Sequence, residues 1–214
     1  MNAPHPAPSP KAMRDTLLQA VHGAMCADPE IFFVTADFGS PVIDQVRADC
    51  SDLFINVGIA EQNLINVSTG LALEGFKVFA YAIASFITMR CFEQIRVNLA
   101  LLSEVRAMNV NLVGVGAGYS YVVSGPTHQC YEDISLMRTL PNMQIFSPAD
   151  QFAAAALPAR CLRKNGPKYI RLDAQALPPL YHTELRGLDD GFAVHRQGGK
   201  VCLIATGYMV HTAL

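Results

Sequence analysis

Residues 53–73 read LFINVGIAEQNLINVSTGLAL, and this stretch decides the fold. Leu53-Phe54-Ile55 is a short apolar block suited to a buried strand, Gly58 supplies a turn, and small and apolar residues recur at helical spacing from Glu61 to Leu73. A buried strand entering a helix through glycine is a βα unit. The same alternation extends in both directions. Upstream, Met13, Leu17, Val21 and Ala24 predict a helix that ends near Asp28-Pro29, and Ile31 to Thr35 predicts a strand closed by Asp37 and Gly39. Downstream, strands are predicted over 77–81, 110–115, 143–146 and 168–171. Helices are predicted over 86–102 and 133–140, with a further helix N-capped by Asp150. Buried strands taking turns with helices predict an α/β fold: a doubly wound, mostly parallel sheet flanked by helices. Ligand sites in such sheets lie at the carboxyl ends of the strands.

Composition narrows the function classes. The 214 residues are 51% hydrophobic and 16% charged, with a formal net charge of -2, so no basic face argues for nucleic acid. So little charge on so apolar a chain points to a large contact with another subunit. Six cysteines are scattered with no CxxC pair and no histidine at zinc spacing, so no metal site is read and reduced thiols are expected. Apolar runs are interrupted well before the ~20 residues of a membrane span, and no secretory signal opens the chain, which places the protein in the cytoplasm.

The division expected is a proline-rich, disordered leader over 1–12, one domain over 13–172, a surface linker over 173–190, and the start of an incomplete second domain over 191–214. That last segment opens with a strand over 201–205 followed by the first residues of a helix.

Three segments carry candidate chemistry. Glu61 is a single carboxylate just past a strand and a glycine turn; it either complements the helix macrodipole or serves a pocket. Phe86, Met89 and Phe92 lie along the next predicted helix, where aromatics serve either the core or a ligand face. Ser124-Gly125-Pro126-Thr127-His128-Gln129 sits in a glycine-rich loop, where a histidine either makes a structural hydrogen bond or handles protons near neutral pH.

Taken together, GIAEQ at 58–62, GPTHQ at 125–129, Leu140-Pro141-Asn142 and Ser147-Pro148-Ala149-Asp150 occur in an order that resembles the transketolase family of thiamine-diphosphate enzymes. The resemblance covers roughly residues 13–172 and implies the pyrimidine-binding domain. It implies that Glu61 hydrogen-bonds N1′ of the cofactor's aminopyrimidine, a position where an enclosed carboxyl and a ring nitrogen can share a proton. Phe86, with Met89 and Phe92, would wall that ring, and His128 would act on a substrate oxygen. Arg171 and Arg14 lie near places where the family keeps phosphate-binding arginines, and a surface role remains open for Arg14. Ser124 would face the substrate in place of the family's aspartate. Gly116 stands where a phosphate-binding histidine is expected.

No GDG motif with a downstream Asn is present, so Mg2+ and the diphosphate are expected on an N-terminal, diphosphate-binding partner subunit. The pair would form a heterotetramer that moves a two-carbon ketol unit between sugars or sugar phosphates, and the chain alone would be inactive. The alternatives are a deoxyxylulose-phosphate-synthase-like subunit, a 2-oxoacid-dehydrogenase β-like subunit, or a non-catalytic assembly or regulatory subunit.

Overall fold

The computed structural model describes residues 9–181 and 190–214. Helix α1 (Met13–Ala27) leads into strand β1 (Ile31–Thr35), α2 (Pro41–Asp49), β2 (Phe54–Asn56), α3 (Glu61–Leu73) and β3 (Lys77–Ile83). A π-helical turn (Phe86–Arg90), α4 (Phe92–Gln94) and a second π-helical turn (Ile95–Leu101) precede β4 (Asn109–Val115). The chain continues through α5 (Asp133–Arg138), β5 (Gln144–Phe146), α6 (Gln151–Arg163), β6 (Gly166–Leu172) and α7 (Met209–Ala213). The six strands form one sheet in the order β2-β1-β3-β4-β6-β5, and every neighbouring pair is parallel.

Alternation along the strands builds two cores. Phe33, Phe79, Tyr81, Val113 and Ile170 face α1, α2 and α6, while Val34, Val78, Ala80, Leu112 and Tyr169 face α3, the π-helical segment and α5. With the sheet covered on both sides, its strands are apolar nearly throughout, as parallel strands must be. The chain steps from β1 outward to β2 and returns through α3 to β3 on the other side of β1. The strand order therefore reverses between β1 and β3, and a crevice opens at their carboxyl ends.

Several expectations are corrected. Helix α2 was not foreseen; its signal is Ser40-Pro41, where the Ser40 side chain accepts a hydrogen bond from Ile43 N at 3.3 Å and proline occupies the first turn. The predicted continuous helix over 86–102 is instead interrupted by the two π-helical turns, a form concentrated at functional sites. The strand predicted over 201–205 does not form. No described strand pairs with it, and Val201, Leu203 and Ile204 are exposed.

The predicted linker over 173–190 is tied down at its start. Ala176 bridges Ala12, Leu177 is buried, and Asp150 Oδ2 accepts from Leu180 N and Tyr181 N at 2.8 and 2.9 Å. Asp150 also caps α6 as expected, through Phe152 N and Ala153 N. The rest of that linker, 182–189, and most of the predicted leader, 1–8, lie outside the described residues. Among the described residues no helix is long and apolar enough to cross a membrane.

Candidate functional site

Glu61 is the first residue of α3 and is only 3% exposed. The turn that delivers it is clasped. Asn56 Oδ1 accepts from Asp37 N and Gly58 N, and Asn56 Nδ2 donates to Asp37 Oδ1, each at 3.0 Å. Asp37 takes a left-handed φ of 54°, a conformation that Asp tolerates better than most residues, and Gly58 takes φ 75°. This clasp joins the ends of β1 and β2 and sets the start of α3 at the crevice.

The buried carboxylate has a cation beside it. Arg90 Nη1 donates to Glu61 Oε2 at 2.6 Å, and the Arg90 guanidinium carbon lies 4.5 Å from the centre of the Phe86 ring. Gln62 Nε2 donates to the Arg90 carbonyl at 3.2 Å, holding the π-helical turn against α3. Phe86 meets the His128 ring edge to face at 5.1 Å between centroids, and Tyr121 stands perpendicular to His128 at 6.3 Å. Ser85 Oγ donates to the Thr127 carbonyl at 3.2 Å, and Thr127 Oγ1 lies 3.0 Å from His128 Nδ1. Glu61, Arg90, Phe86, His128 and Tyr121 thus form one contiguous surface.

The other predicted residues fall around it unevenly. Met89 is 39% exposed, whereas Phe92 is partly buried and packs into the core beside α3. Ser124 is exposed at the end of a short 3₁₀ turn in the loop that carries His128. Arg14 is bonded to Asp15 at 2.8 Å. Burial works to lower the Arg14 pKa, but the bond to Asp15 and the nearby Tyr81 and Tyr121 hydroxyls raise it overall. That places Arg14 at the Tyr121 end of the surface. Arg171 is engaged elsewhere: its Nε donates to the fully buried Asp133 Oδ2 at 2.8 Å, the oxygen that also accepts from Tyr169 Oη at 2.8 Å.

Gly116 has a structural reason to be glycine. Its φ is 90°, and a Cβ there would lie 2.0 Å from Tyr121 Cε2, so the tyrosine ring occupies the room a side chain would need. Sequence reasoning missed Tyr121, Arg90 and Asp133. Arg90 follows Phe86 by one helical turn and was in principle findable as a counter-ion for a buried Glu61; Tyr121 carries no such signal.

The arrangement suits an aminopyrimidine: a buried carboxylate for a ring nitrogen and an aromatic face beside it. It does not suit a diphosphate with Mg2+, which demands oxygen ligands. Among the described residues the only group of three or more His, Cys, Asp or Glu side chains able to share an ion is His22, Cys26 and Cys50.

Residues 9–179 match the family described as "Transketolase, pyrimidine binding domain". The chain is 32% identical over 209 residues to one of the subunits of the apulose-4-phosphate transketolase of Phocaeicola vulgatus, covering 95% of this chain and 63% of that protein. It is 30% identical to the "6-deoxy-6-sulfo-D-fructose transketolase subunit SqwH" of a Clostridium species, covering 94% of this chain and 62% of that one. It superposes on a "Split gene transketolase, inactive beta4 tetramer" with a TM-score of 0.80 at 31% identity, over 96% of this chain and 66% of that one. The chain therefore spans a little under two thirds of the length of these relatives. With the sheet, the crevice carboxylate and a family match over most of its length in agreement, this chain belongs to the transketolase pyrimidine-binding family.

Proposed function

We propose that the chain is the pyrimidine-binding subunit of a two-chain, thiamine-diphosphate-dependent transketolase, transferring a two-carbon ketol unit from a ketose to an aldehyde. The observation that carries this reading is the continuous surface of Glu61, Phe86 and His128 at the crevice where the strand order reverses. When bound, thiamine diphosphate supplies the carbon nucleophile and the electron sink. Glu61 would hydrogen-bond the aminopyrimidine N1′, and its burial would keep water from competing for that bond. Phe86 offers a ring face, with Met89 at its rim and Phe92 supporting the turn from the core side. His128 donates to or accepts from a substrate oxygen, oriented by Thr127 Oγ1.

Two of the relatives are named for substrates that end in phosphate or sulfonate, which favours an anionic substrate here. Arg14 and Ser124 are the residues on this chain proposed to meet it. Arg171 is proposed to join them at an anionic end, with its Asp133 pair fixing its direction. Mg2+ and the diphosphate belong to an N-terminal partner subunit in a heterotetramer. Exposed Ile59, Val122 and Val123, within two residues of Glu61, Tyr121 and Ser124, fit a face that such a partner covers. Residues 191–214 open the family's C-terminal domain, and the enzyme works in the cytoplasm.

The test is to isolate the tagged chain from its source cells with thiamine diphosphate and Mg2+, identify what co-purifies, and assay ketol transfer beside Glu61→Gln. A co-purifying diphosphate-binding subunit and activity lost in Glu61→Gln are expected. Activity indifferent to Glu61 would instead favour an assembly role.

A further inference from the structure

Far from Glu61, at the amino edge of the sheet, the last turn of α1 meets the end of α2. His22 and Cys26 stand one helical turn apart on the same face of α1, and Cys50 caps α2. The three side chains bring His nitrogen and both sulfurs within 4.8 Å of one another. None of these residues takes part in the site described above.

The geometry carries information beyond proximity. Cys26 Sγ and Cys50 Sγ are 3.6 Å apart, much longer than the ~2.05 Å of a disulfide. Two sulfurs each ~2.3 Å from a tetrahedral Zn2+ are separated by about 3.75 Å, so the observed gap is close to that of a chelating pair. His22 Nε2 is shut off from solvent and makes no hydrogen bond of good geometry. The Asp49 carboxylate lies 3.0 Å from it, at ion-pair distance but outside hydrogen-bonding geometry.

We propose that His22, Cys26 and Cys50 form a structural binding site for a thiophilic divalent cation, Zn2+ by the chemistry of its donors, with a water molecule in the fourth position. Two thiolates and an imidazole select Zn2+ over Mg2+ or Ca2+, and one water completes a tetrahedron. The cation ties the end of α1 to the end of α2, beside the His22–Asp49 ion pair that already joins them. Binding converts two thiols to thiolates and releases two protons. Because both thiols must lose a proton to bind the ion, affinity rises with pH.

The site is tested with the full chain carrying a tag free of His and Cys, reduced and stripped with a chelator. Titration with Co2+ should give a thiolate-to-cobalt charge-transfer band and tetrahedral d–d bands that saturate at one ion per chain and are displaced by Zn2+. Affinity should fall at least about tenfold in Cys26→Ser and further in Cys50→Ser. Cys26 is exposed, so Cys26→Ser should keep the wild-type circular dichroism, and the wild-type cobalt spectrum needs no variant at all. Absence of the charge-transfer band would overturn the proposal, as would a band that survives in the Cys26→Ser/Cys50→Ser double variant. It would also fail if the freshly isolated chain carried a Cys26–Cys50 disulfide, seen as a loss of two hydrogens by mass, and bound no metal after reduction.

Discussion

Arg90 Nη1 stands 2.6 Å from Glu61 Oε2 while its guanidinium rests on the Phe86 ring, so one cation touches both the buried carboxylate and its aromatic neighbour. Glu61 is almost fully buried, whereas the Arg90 side chain is 47% exposed, which moderates what the pair can contribute. A double-mutant cycle of Glu61→Gln and Arg90→Met in urea should show a coupling of about 1–2 kcal/mol, toward the low end for hydrogen bonds to charged groups because Arg90 is half exposed. Coupling indistinguishable from zero would mean that solvent already screens the pair.

His128 should matter for turnover and not for cofactor affinity. In the reconstituted two-chain enzyme, His128→Asn is expected to lower kcat by about 10²–10⁴-fold, as for loss of a proton-transfer group. The thermal shift produced by thiamine diphosphate should stay as in the wild type. A weaker shift would move His128 from substrate to cofactor.

Gly116→Ala meets two obstacles, a φ of 90° and the Tyr121 ring. A cost of about 2 kcal/mol is expected in chemical denaturation, part conformational and part steric. Adding Tyr121→Ala should relieve the steric part only. If the double variant is no better off relative to Tyr121→Ala alone, the tyrosine is not what keeps this position glycine.

Asp133 satisfies two buried groups, the Arg171 guanidinium and the Tyr169 hydroxyl. Removing it in Asp133→Ala strands both and should cost about 3–5 kcal/mol, while Asp133→Asn keeps an acceptor and should cost less. Equal losses in the two variants would show that packing, not charge, is what the position supplies.

Lys168 is 1% exposed, with its ammonium bonded to Asn109 Oδ1 at 3.2 Å and the Gly166 carbonyl at 3.0 Å. Burial, with neighbouring Lys164 adding to it, brings its pKa down to about 8 from 10.5. Between those values the unfolded chain holds more protons than the folded one, so folding stability rises with pH across that window. Below pH 8 the full penalty of the buried charge remains. The stability of the wild type relative to Lys168→Met should therefore improve by up to about 3 kcal/mol from pH 7.5 to 10.5. A difference that does not vary with pH would mean the amine stays hydrated in the folded state.

Much of the fold was legible because it is governed by local, periodic rules. The apolar blocks at 31–35 and 110–115 could only be covered strands, and the glycine turn at Gly58 put Glu61 at the opening of a helix, where the structure has it. Reading failed where a neighbour had to be present. Val201 to Ala205 has the composition of a strand, but a strand exists only when another donates its hydrogen bonds, and no described strand does. The π-helical turns at Phe86–Arg90 and Ile95–Leu101 were hidden for a related reason, since their apolar periodicity is close to that of an ordinary helix.

By itself the sequence determined the alternation of the six parallel-sheet strands with most of their helices, the capping of α6 by Asp150, and the candidates Glu61, Phe86 and His128, all of which depend on residues near one another in the chain or on short motifs. Tertiary structure alone decided which side chains meet across distant segments. It set Arg90 on Glu61, Tyr121 in the space over Gly116, Asp133 under Arg171, and Cys50 beside Cys26 and His22. Those contacts join residues 5 to 38 positions apart, through loops whose paths no periodicity encodes. The physical reason is that packing against the sheet, and not local propensity, sets where each loop returns.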